Sequence, residues 1–275
     1  CFVYNGIYTM KNNRVFLTDT SHAIESSTWP TNKVGLSAGG YVVVEANETV
    51  TPKLANAIFL GSSPSWYHFL VEIFPRFLHL IASTAERSMV IVRGSLPKSI
   101  LQVLAEIGFN DVKSLGDGQR IEVEDLVTIA DFRFKNALDL EDRFNDILLV
   151  RDFFRTQYKI SDSGDMFYLK RSGHLFRPLF GQRKVEKFLV SLGFRVLLPE
   201  DLDFHKQIQL LGKARVLVAA SGAALTSMLF VPESCKIIQL HDGIDQTDLW
   251  ERFAKIIGLN LTVIKGRPFA IYNLF

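Results

Sequence analysis

Three ionisable side chains recur every four residues in the apolar stretch WYHFLVEIFPRF, residues 66–77. On a helix, residues four apart lie on nearly the same side, so His68, Glu72 and Arg76 form one polar row. A carboxylate beside an imidazole can orient the ring, and either group can then take a proton from a hydroxyl. The spacing predicts a catalytic base at His68 or Glu72, with Arg76 orienting Glu72 or contacting a substrate.

The same spacing has a structural alternative. Exposed ion pairs four residues apart are common on helices and contribute only about 0.3–0.5 kcal/mol each. The HxxxE spacing is also found among metal ligands. The other histidines are scattered along the chain and no cysteine cluster accompanies them, so we expect no metal site.

A second candidate site lies in VLVAASGAALTSMLF, residues 216–230. An apolar strand runs directly into a turn of small residues and then a helix. The N–H groups at the start of a helix favour an anion, and small side chains let a ligand approach the backbone. We therefore expect a phosphate site formed by Ser221, Gly222, Ala223 and Ala224. Tight packing of the helix on the sheet is the alternative.

Basic residues follow a neighbouring predicted strand. Lys170 and Arg171 stand at its end, and Arg177 follows in the next loop. The planar guanidinium of arginine binds phosphate oxygens in pairs, so these residues predict a diphosphate site. An ordinary solvated loop is the alternative. Asp242 and Glu251 are weaker candidates for contacts to a nucleoside.

The elements that must position these residues alternate between strands and helices. In the first half we predict strands at Val15–Asp19, Gly40–Glu45, Ala57–Gly61, Met89–Val92, Val112–Leu115 and Ile121–Ala130, and helices at 65–85, Pro97–Ile107 and Asp139–Tyr158. In the second half we predict strands at Met166–Leu169, Arg195–Leu198, Val216–Ala220, Lys236–Leu240 and Leu261–Ile264, and helices at Gly181–Leu192, Phe204–Ala214, Gly222–Val231 and Gln246–Ile257. This order predicts an α/β fold with two domains, 1–160 and 161–275, the second doubly wound and Rossmann-like.

Composition limits the classes of function. The chain has 275 residues, of which 48% are hydrophobic, enough for two sizeable cores. A net charge of +2 gives no case for a nucleic-acid partner. The chain does not begin with Met, so we expect it to be part of a longer polypeptide. No GxGxxG follows the first strand of either half, which disfavours a dinucleotide-dependent oxidoreductase.

These stretches, taken in order, resemble the family 61 glycosyltransferases. The family's Y-x-H-[WF]-L-x-E-x-x-P-R helix is matched by residues 66–76. Later family features are matched by Arg171, Gly193-Phe194, Pro199-Glu200, Gln207-Ile208, Ala214 to Val218, Ser221 to Leu225, and 228–232. The resemblance covers about residues 56–258.

The resemblance implies a GT-B fold, in which two Rossmann-like α/β domains face each other across a cleft. It implies an acceptor held by the first domain, a nucleotide-sugar donor held by the second, inversion at the sugar, and no essential metal or other cofactor. We expect a UDP-linked donor and a glycan or glycolipid acceptor. The Ser-Gly-Ala-Ala turn, where many relatives have His-Gly-Ala-Gly, is associated with bacterial members that build capsular and other surface polysaccharides.

That branch implies a cytoplasmic enzyme, with peripheral association at the inner face of the membrane; a eukaryotic member would lie in the Golgi or endoplasmic reticulum lumen. The chain departs from the family at Ser221, at Gly181-Gln182, where an Asn-Glu pair is common, and at Ser227, where Asn is common. These departures motivate an alternative function: a non-catalytic glycan- or nucleotide-binding module of a polysaccharide assembly protein.

Overall fold

The computed structural model describes residues 2–4, 8–11, 14–17, 34–36, 42–44, 48–61, 63–83, 89–116, 119–127, 140–141, 143–158, 160, 164–170, 181–241 and 248–266. The chain forms two compact units, Cys1–Asp142 and Arg143–Phe275. Each unit has its own sheet and helices, which confirms the predicted α/β class.

The first unit is built on a mixed sheet. Its strands are β1 (Phe2–Tyr4), β2 (Tyr8–Lys11), β3 (Arg14–Leu17), β6 (Glu48–Ile58), β7 (Met89–Arg93), β8 (Val112–Leu115) and β9 (Gln119–Val127). Among the described strands the order is β3-β2-β1-β9-β6-β7-β8. Strands β9, β6, β7 and β8 are parallel, whereas β1, β2 and β3 form an antiparallel extension beside β9. A separate hairpin pairs β4 (Val34–Leu36) with β5 (Val42–Val44).

Strand β6 is longer than predicted because it continues through Pro52. The sequence pattern predicted a strand only from Ala57, after Pro52, because proline cannot donate a ladder hydrogen bond. The pairing of β6 with β9 shifts register between Val50 and Leu54. This irregularity lets the strand pass the proline without a regular bond at that position.

The polar row lies on a helix that is interrupted by a π turn. Helix α1 (Trp66–His68) continues into a π-helical segment, Phe69–Ile73, and then into α2 (Phe74–Ser83). The N–H of Phe74 bonds to the carbonyl of Phe69, five residues earlier. Pro75 accounts for the wide turn, because its ring would clash with the carbonyl of Val71 in a regular α-helix. Helix α3 (Lys98–Glu106) then connects β7 to β8.

The second unit is a doubly wound domain with a parallel sheet. Its strands are β10 (Asp165–Leu169), β11 (Arg195–Leu197), β12 (Ala214–Ala220), β13 (Lys236–His241) and β14 (Asn260–Lys265). They are arranged in the order β11-β10-β12-β13-β14. Numbered within the unit this is 2-1-3-4-5, one of the two common doubly wound orders. The strand order reverses between β10 and β12, and the reversal defines a switch point at their carboxyl ends.

Aromatic side chains join two helices of this unit to the segment after β12. The helices of the unit are α4 (Phe144–Tyr158), α5 (Gln182–Ser191), α6 (Phe204–Leu211) and α7 (Leu249–Ile256). Phe154 of α4 contacts Phe204 and Phe230 edge to face, with ring centroids 5.7 and 4.9 Å apart. Helix α4 therefore belongs to the second unit, and the units divide before it rather than at the predicted boundary of 160 and 161. The acceptor and donor roles of the two domains stay predictions.

The segment after β12 differs from its prediction in helix type. Residues Ala223–Phe230 form a 3₁₀ helix instead of an α-helix. Gly222 begins it with φ +139°, a conformation that residues with a side chain rarely adopt.

Among the described residues, no helix combines the length and the apolar character needed to cross a bilayer.

Candidate active site

The predicted contact between His68 and Glu72 is present in the first unit. Nδ1 of His68 lies 2.8 Å from Oε1 of Glu72. The Glu72 side chain is only 3% exposed, whereas that of His68 is 23% exposed. An ionised carboxylate can only accept, so with Glu72 ionised Nδ1 of His68 is the donor in this contact. The pair is arranged as an oriented base.

Burial excludes the surface alternative for most of the polar row. Residue Glu72 is 4% exposed and Arg76 is 7% exposed. A buried carboxylate and a buried guanidinium need specific polar partners, because burying a charge without them is costly. The row is therefore an internal polar cluster with one half-buried member, His68.

Arg76 fixes the helix to the end of strand β6. Its Nη1 donates to the carbonyl of Leu60 at 2.8 Å. Gly61 follows with φ +99°, and a Cβ on this residue would lie 3.1 Å from Nη1 of Arg76. The glycine leaves room for the guanidinium at the point where the chain leaves the sheet.

This position is a switch point of the first sheet. Strand β6 leads to β7 and β8 on one side, whereas β9 pairs on its other side. Phe59, just after β6, donates its N–H to the carbonyl of Val127, the last residue of β9. Open α/β sheets bind ligands outside the carboxyl ends of strands where the order reverses. The His68–Glu72 pair begins seven residues after Gly61, on the helix that Arg76 anchors at this edge.

The predicted phosphate turn lies at the corresponding place in the second unit. Ser221 follows the last residue of β12, and its N–H donates to the carbonyl of Leu240 at 3.0 Å. Gly222 accepts from the N–H of Leu225 at 2.9 Å, which closes the first 3₁₀ turn. Ala223 and Ala224 are half-buried. The N–H groups of a first helical turn have no partner within the helix, so this turn can receive an anion.

Lys170, which follows β10, is held by a carboxylate. Its Nζ lies 2.8 Å from Oε2 of Glu186 on α5, and both side chains are about one-third exposed, at 30% and 28%. Its backbone N–H donates to the carbonyl of Leu197 at 2.8 Å. Lys170 stands at the β10 side of the switch point and Ser221 at the β12 side. Sequence analysis missed Glu186, because the contact depends on how α5 packs.

Two arginines of α4 secure the far end of the 3₁₀ segment. Nη1 of Arg151 donates to the carbonyl of Met228 at 2.8 Å, and Nη2 donates to that of Val231 at 3.4 Å. Burial lowers the pKa of Arg151 from its ordinary value. Arg155 pairs with Glu233 and lowers the pKa of that carboxyl, chiefly through the hydrogen bond between them. The Arg151 contacts tie α4 to the end of the segment that begins at the Ser221–Ala224 turn.

Four predicted site residues remain, and only one of them lies among the described residues. Arg171, Arg177 and Asp242 lie outside the described residues. Glu251 is exposed in the first turn of α7. Within the described residues, no three His, Cys, Asp or Glu side chains come together as metal ligands.

Fold and site together define an α/β protein with a candidate base at one switch point and a candidate anion site at another. We compared the sequence with models of known protein families to identify the class of protein. The Glycosyltransferase 61 model matches residues 66–238, which begin at the His68–Glu72 helix and end within β13. The chain therefore belongs to the glycosyltransferase 61 family, and membership supports a transferase activity. No curated protein matches the sequence significantly.

Proposed function

We propose that the chain is an inverting glycosyltransferase that moves a sugar from a nucleotide-sugar donor to a hydroxyl of a glycan acceptor. The observation that carries this proposal is the 2.8 Å contact between His68 Nδ1 and the buried Glu72 carboxylate. Transfer to a hydroxyl needs a base that removes the hydroxyl proton, and an imidazole oriented by a carboxylate is suited to that task.

The reaction is a single displacement. The acceptor oxygen attacks the anomeric carbon of the sugar, and the bond from that carbon to the diphosphate breaks. His68 Nε2 takes the acceptor proton, and the nucleoside diphosphate leaves with the electron pair of the broken bond. One displacement inverts the anomeric configuration. Glu72 stabilises the imidazolium that forms, and Arg76 anchors the helix that carries both residues.

The leaving diphosphate needs positive charge and N–H donors. We assign this task to the second unit, at the turn of Ser221, Gly222, Ala223 and Ala224 and at Lys170. Preorganised donors stabilise charge as it develops, without the reorganisation that water would require. Arg171 and Arg177 are assigned to the same diphosphate by their places in the sequence. In this scheme protein groups do what a divalent metal does in other transferases.

The finer assignments rest on the sequence resemblance. They are a UDP-linked donor, a GT-B arrangement, and a role in bacterial surface polysaccharide assembly near the inner face of the membrane. The Ser-Gly-Ala-Ala turn supports the bacterial branch. Asp242 and Glu251 stay the weaker candidates for the nucleoside, by their places in the sequence.

A donor screen tests the proposal. The protein is incubated with UDP-, GDP-, CMP- and dTDP-sugars, with and without glycan acceptors, and both donor binding and release of the nucleotide are measured. We expect one donor class to bind and to be turned over when an acceptor is present. Binding without turnover for every acceptor would favour the non-catalytic module instead, which the departures at Ser221, Gln182 and Ser227 motivate.

A further inference from the structure

A buried polar pair joins strands β12 and β13 beneath the phosphate turn. Nε2 of Gln239 donates to Oγ of Ser221 at 2.7 Å. Gln239 is 3% exposed and Ser221 is 4% exposed. Glutamine is unusual in an otherwise apolar strand interior, and nothing in the family comparison or in the proposed mechanism uses it.

The strand pattern places Gln239 on the face that carries the turn. Its neighbours Ile238 and Leu240 pack in a cluster with Tyr168 and Val218. Because side chains alternate along a strand, Gln239 points to the opposite face, beside Ala219 in the register of β12. Its amide reaches the first residue after β12, at the base of the Gly222 turn.

The hydrogen bond between Gln239 and Ser221 determines which of their polar groups are left for a ligand. Ser221 Oγ accepts from Gln239, so the serine hydroxyl can direct its own proton elsewhere. Oε1 of Gln239 is buried and has no hydrogen-bond partner among the described residues. Buried polar atoms are nearly always paired in folded proteins. The pair thus has one O–H donor at the end of β12 and one buried carbonyl acceptor without a partner among the described residues.

We propose that Gln239 is a positioning residue of the donor site. Its amide fixes Ser221 so that the serine hydroxyl donates to a phosphate oxygen of a nucleoside diphosphate, and its remaining oxygen accepts from a hydroxyl of the same ligand. This inference rests on the proposed function, because it takes the second unit as the donor-binding unit. It adds a residue and a direction of hydrogen bonding that the sequence did not indicate.

The nearly isosteric variant Gln239→Glu reverses the bonding. An ionised carboxylate can only accept, so the serine hydroxyl must donate to it and is lost to the phosphate. The same carboxylate also repels the diphosphate. When the introduced carboxyl is protonated, its O–H donates to Ser221 Oγ as the amide did. Burial raises the pKa of such a carboxyl, so recovery is expected in mildly acidic solution.

The test measures the Kd of UDP, GDP and dTDP by calorimetry for the wild-type chain, Gln239→Glu and Gln209→Glu. Gln209 is exposed on α6, so its variant controls for the added charge. For the nucleotide that the wild type binds, we expect Gln239→Glu to weaken binding about tenfold or more at about pH 8 and to recover most of it at about pH 5. The control should follow the wild type, and circular dichroism should show all three folded.

Three results would overturn the inference. Equal affinity of Gln239→Glu and wild type at both pH values would remove Gln239 from the donor site. A loss that is the same at both pH values would assign the residue a packing role only. Failure of the wild type to bind any of the three nucleotides would overturn the inference together with the assignment of the leaving diphosphate to this turn. If Gln239→Glu does not fold, Ser221→Ala tests the same hydroxyl, with about a tenfold loss expected at both pH values and unchanged affinity contradicting the inference.

Discussion

Arg76 donates a 2.8 Å hydrogen bond to the carbonyl of Leu60, two residues after strand β6 ends. The bond ties the helix that carries His68 and Glu72 to the carboxyl edge of the first sheet. The helix begins eight residues after the strand ends, and the bond adds a directed polar contact to the packing of its buried apolar side chains. The orientation of the candidate base therefore depends on an arginine that need not touch a substrate.

Gly61 should be intolerant of even a single added methyl group. An alanine at this residue would adopt φ +99° and place its Cβ 3.1 Å from Nη1 of Arg76. We expect Gly61→Ala to lower the free energy of unfolding by about 1–2 kcal/mol and to reduce transfer activity. Gly94→Ala is the matched control, because Gly94 has φ +57° and no atom within 4 Å of its Cβ position. Urea denaturation checks both, and equal losses would show that crowding at Arg76 contributes nothing.

Arg151 should stabilise the segment that begins at the Ser221–Ala224 turn. Arg151→Met removes the donors for two buried carbonyls, those of Met228 and Val231, and should cost about 2 kcal/mol of unfolding free energy. Because the same contacts set the 3₁₀ segment, nucleotide affinity should fall as well.

Arg155→Met is the control for that change, because its partner Glu233 is exposed. Denaturation and nucleotide binding are measured on both variants. A smaller effect for Arg155→Met is expected, and an equally small effect for Arg151→Met would contradict the supporting role.

The Arg155–Glu233 pair should make stability depend on acidity. Arg155 lowers the pKa of Glu233 in the folded state. A carboxyl with a lowered folded-state pKa stabilises the fold at pH above its unfolded pKa, and this contribution is lost as the pH falls through the folded-state value. Glu233→Gln should therefore melt slightly below wild type at neutral pH and together with it in acid. Thermal melts across this range check the prediction, and a difference that persists in acid would point to another cause.

Removing the carboxylate that pairs with Lys170 should strengthen the binding of anions. Glu186 neutralises Lys170 at the switch point, with Nζ and Oε2 2.8 Å apart. We expect Glu186→Gln to tighten the binding of nucleoside diphosphates a few-fold and to steepen its dependence on salt, because the freed ammonium is available to phosphate. The effect should vanish when Lys170→Ala is added. Unchanged affinity in the single variant would place Lys170 outside the diphosphate site.

Local signals predicted much of the fold. Strand β8 was predicted with its observed ends, and Pro97 and Gly108 bracket α3 as helix start and stop residues do. The spacing of His68 and Glu72 predicted their contact, because residues four apart on a helix are neighbours whatever the rest of the chain does.

The errors arise where distant residues decide the structure. Strand β6 passes Pro52 because pairing with β9 holds both sides of it. Helix α4 joins the second unit through Phe204 and Phe230, which lie at least 50 residues further along the chain. Gln239 was overlooked because its partner Ser221 belongs to a neighbouring strand end, 18 residues away.

In the proposed reaction His68 is the base that accepts the proton of the acceptor hydroxyl. The direct measurement is transfer of sugar to a glycan by His68→Asn, with donor affinity measured on the same preparation and His79→Asn, on the exposed side of α2, as the control. We expect His68→Asn to bind the donor as the wild type does while kcat falls about 10²–10⁴-fold, and the control to keep its activity. Transfer by His68→Asn at the wild-type rate would show that His68 is not the base.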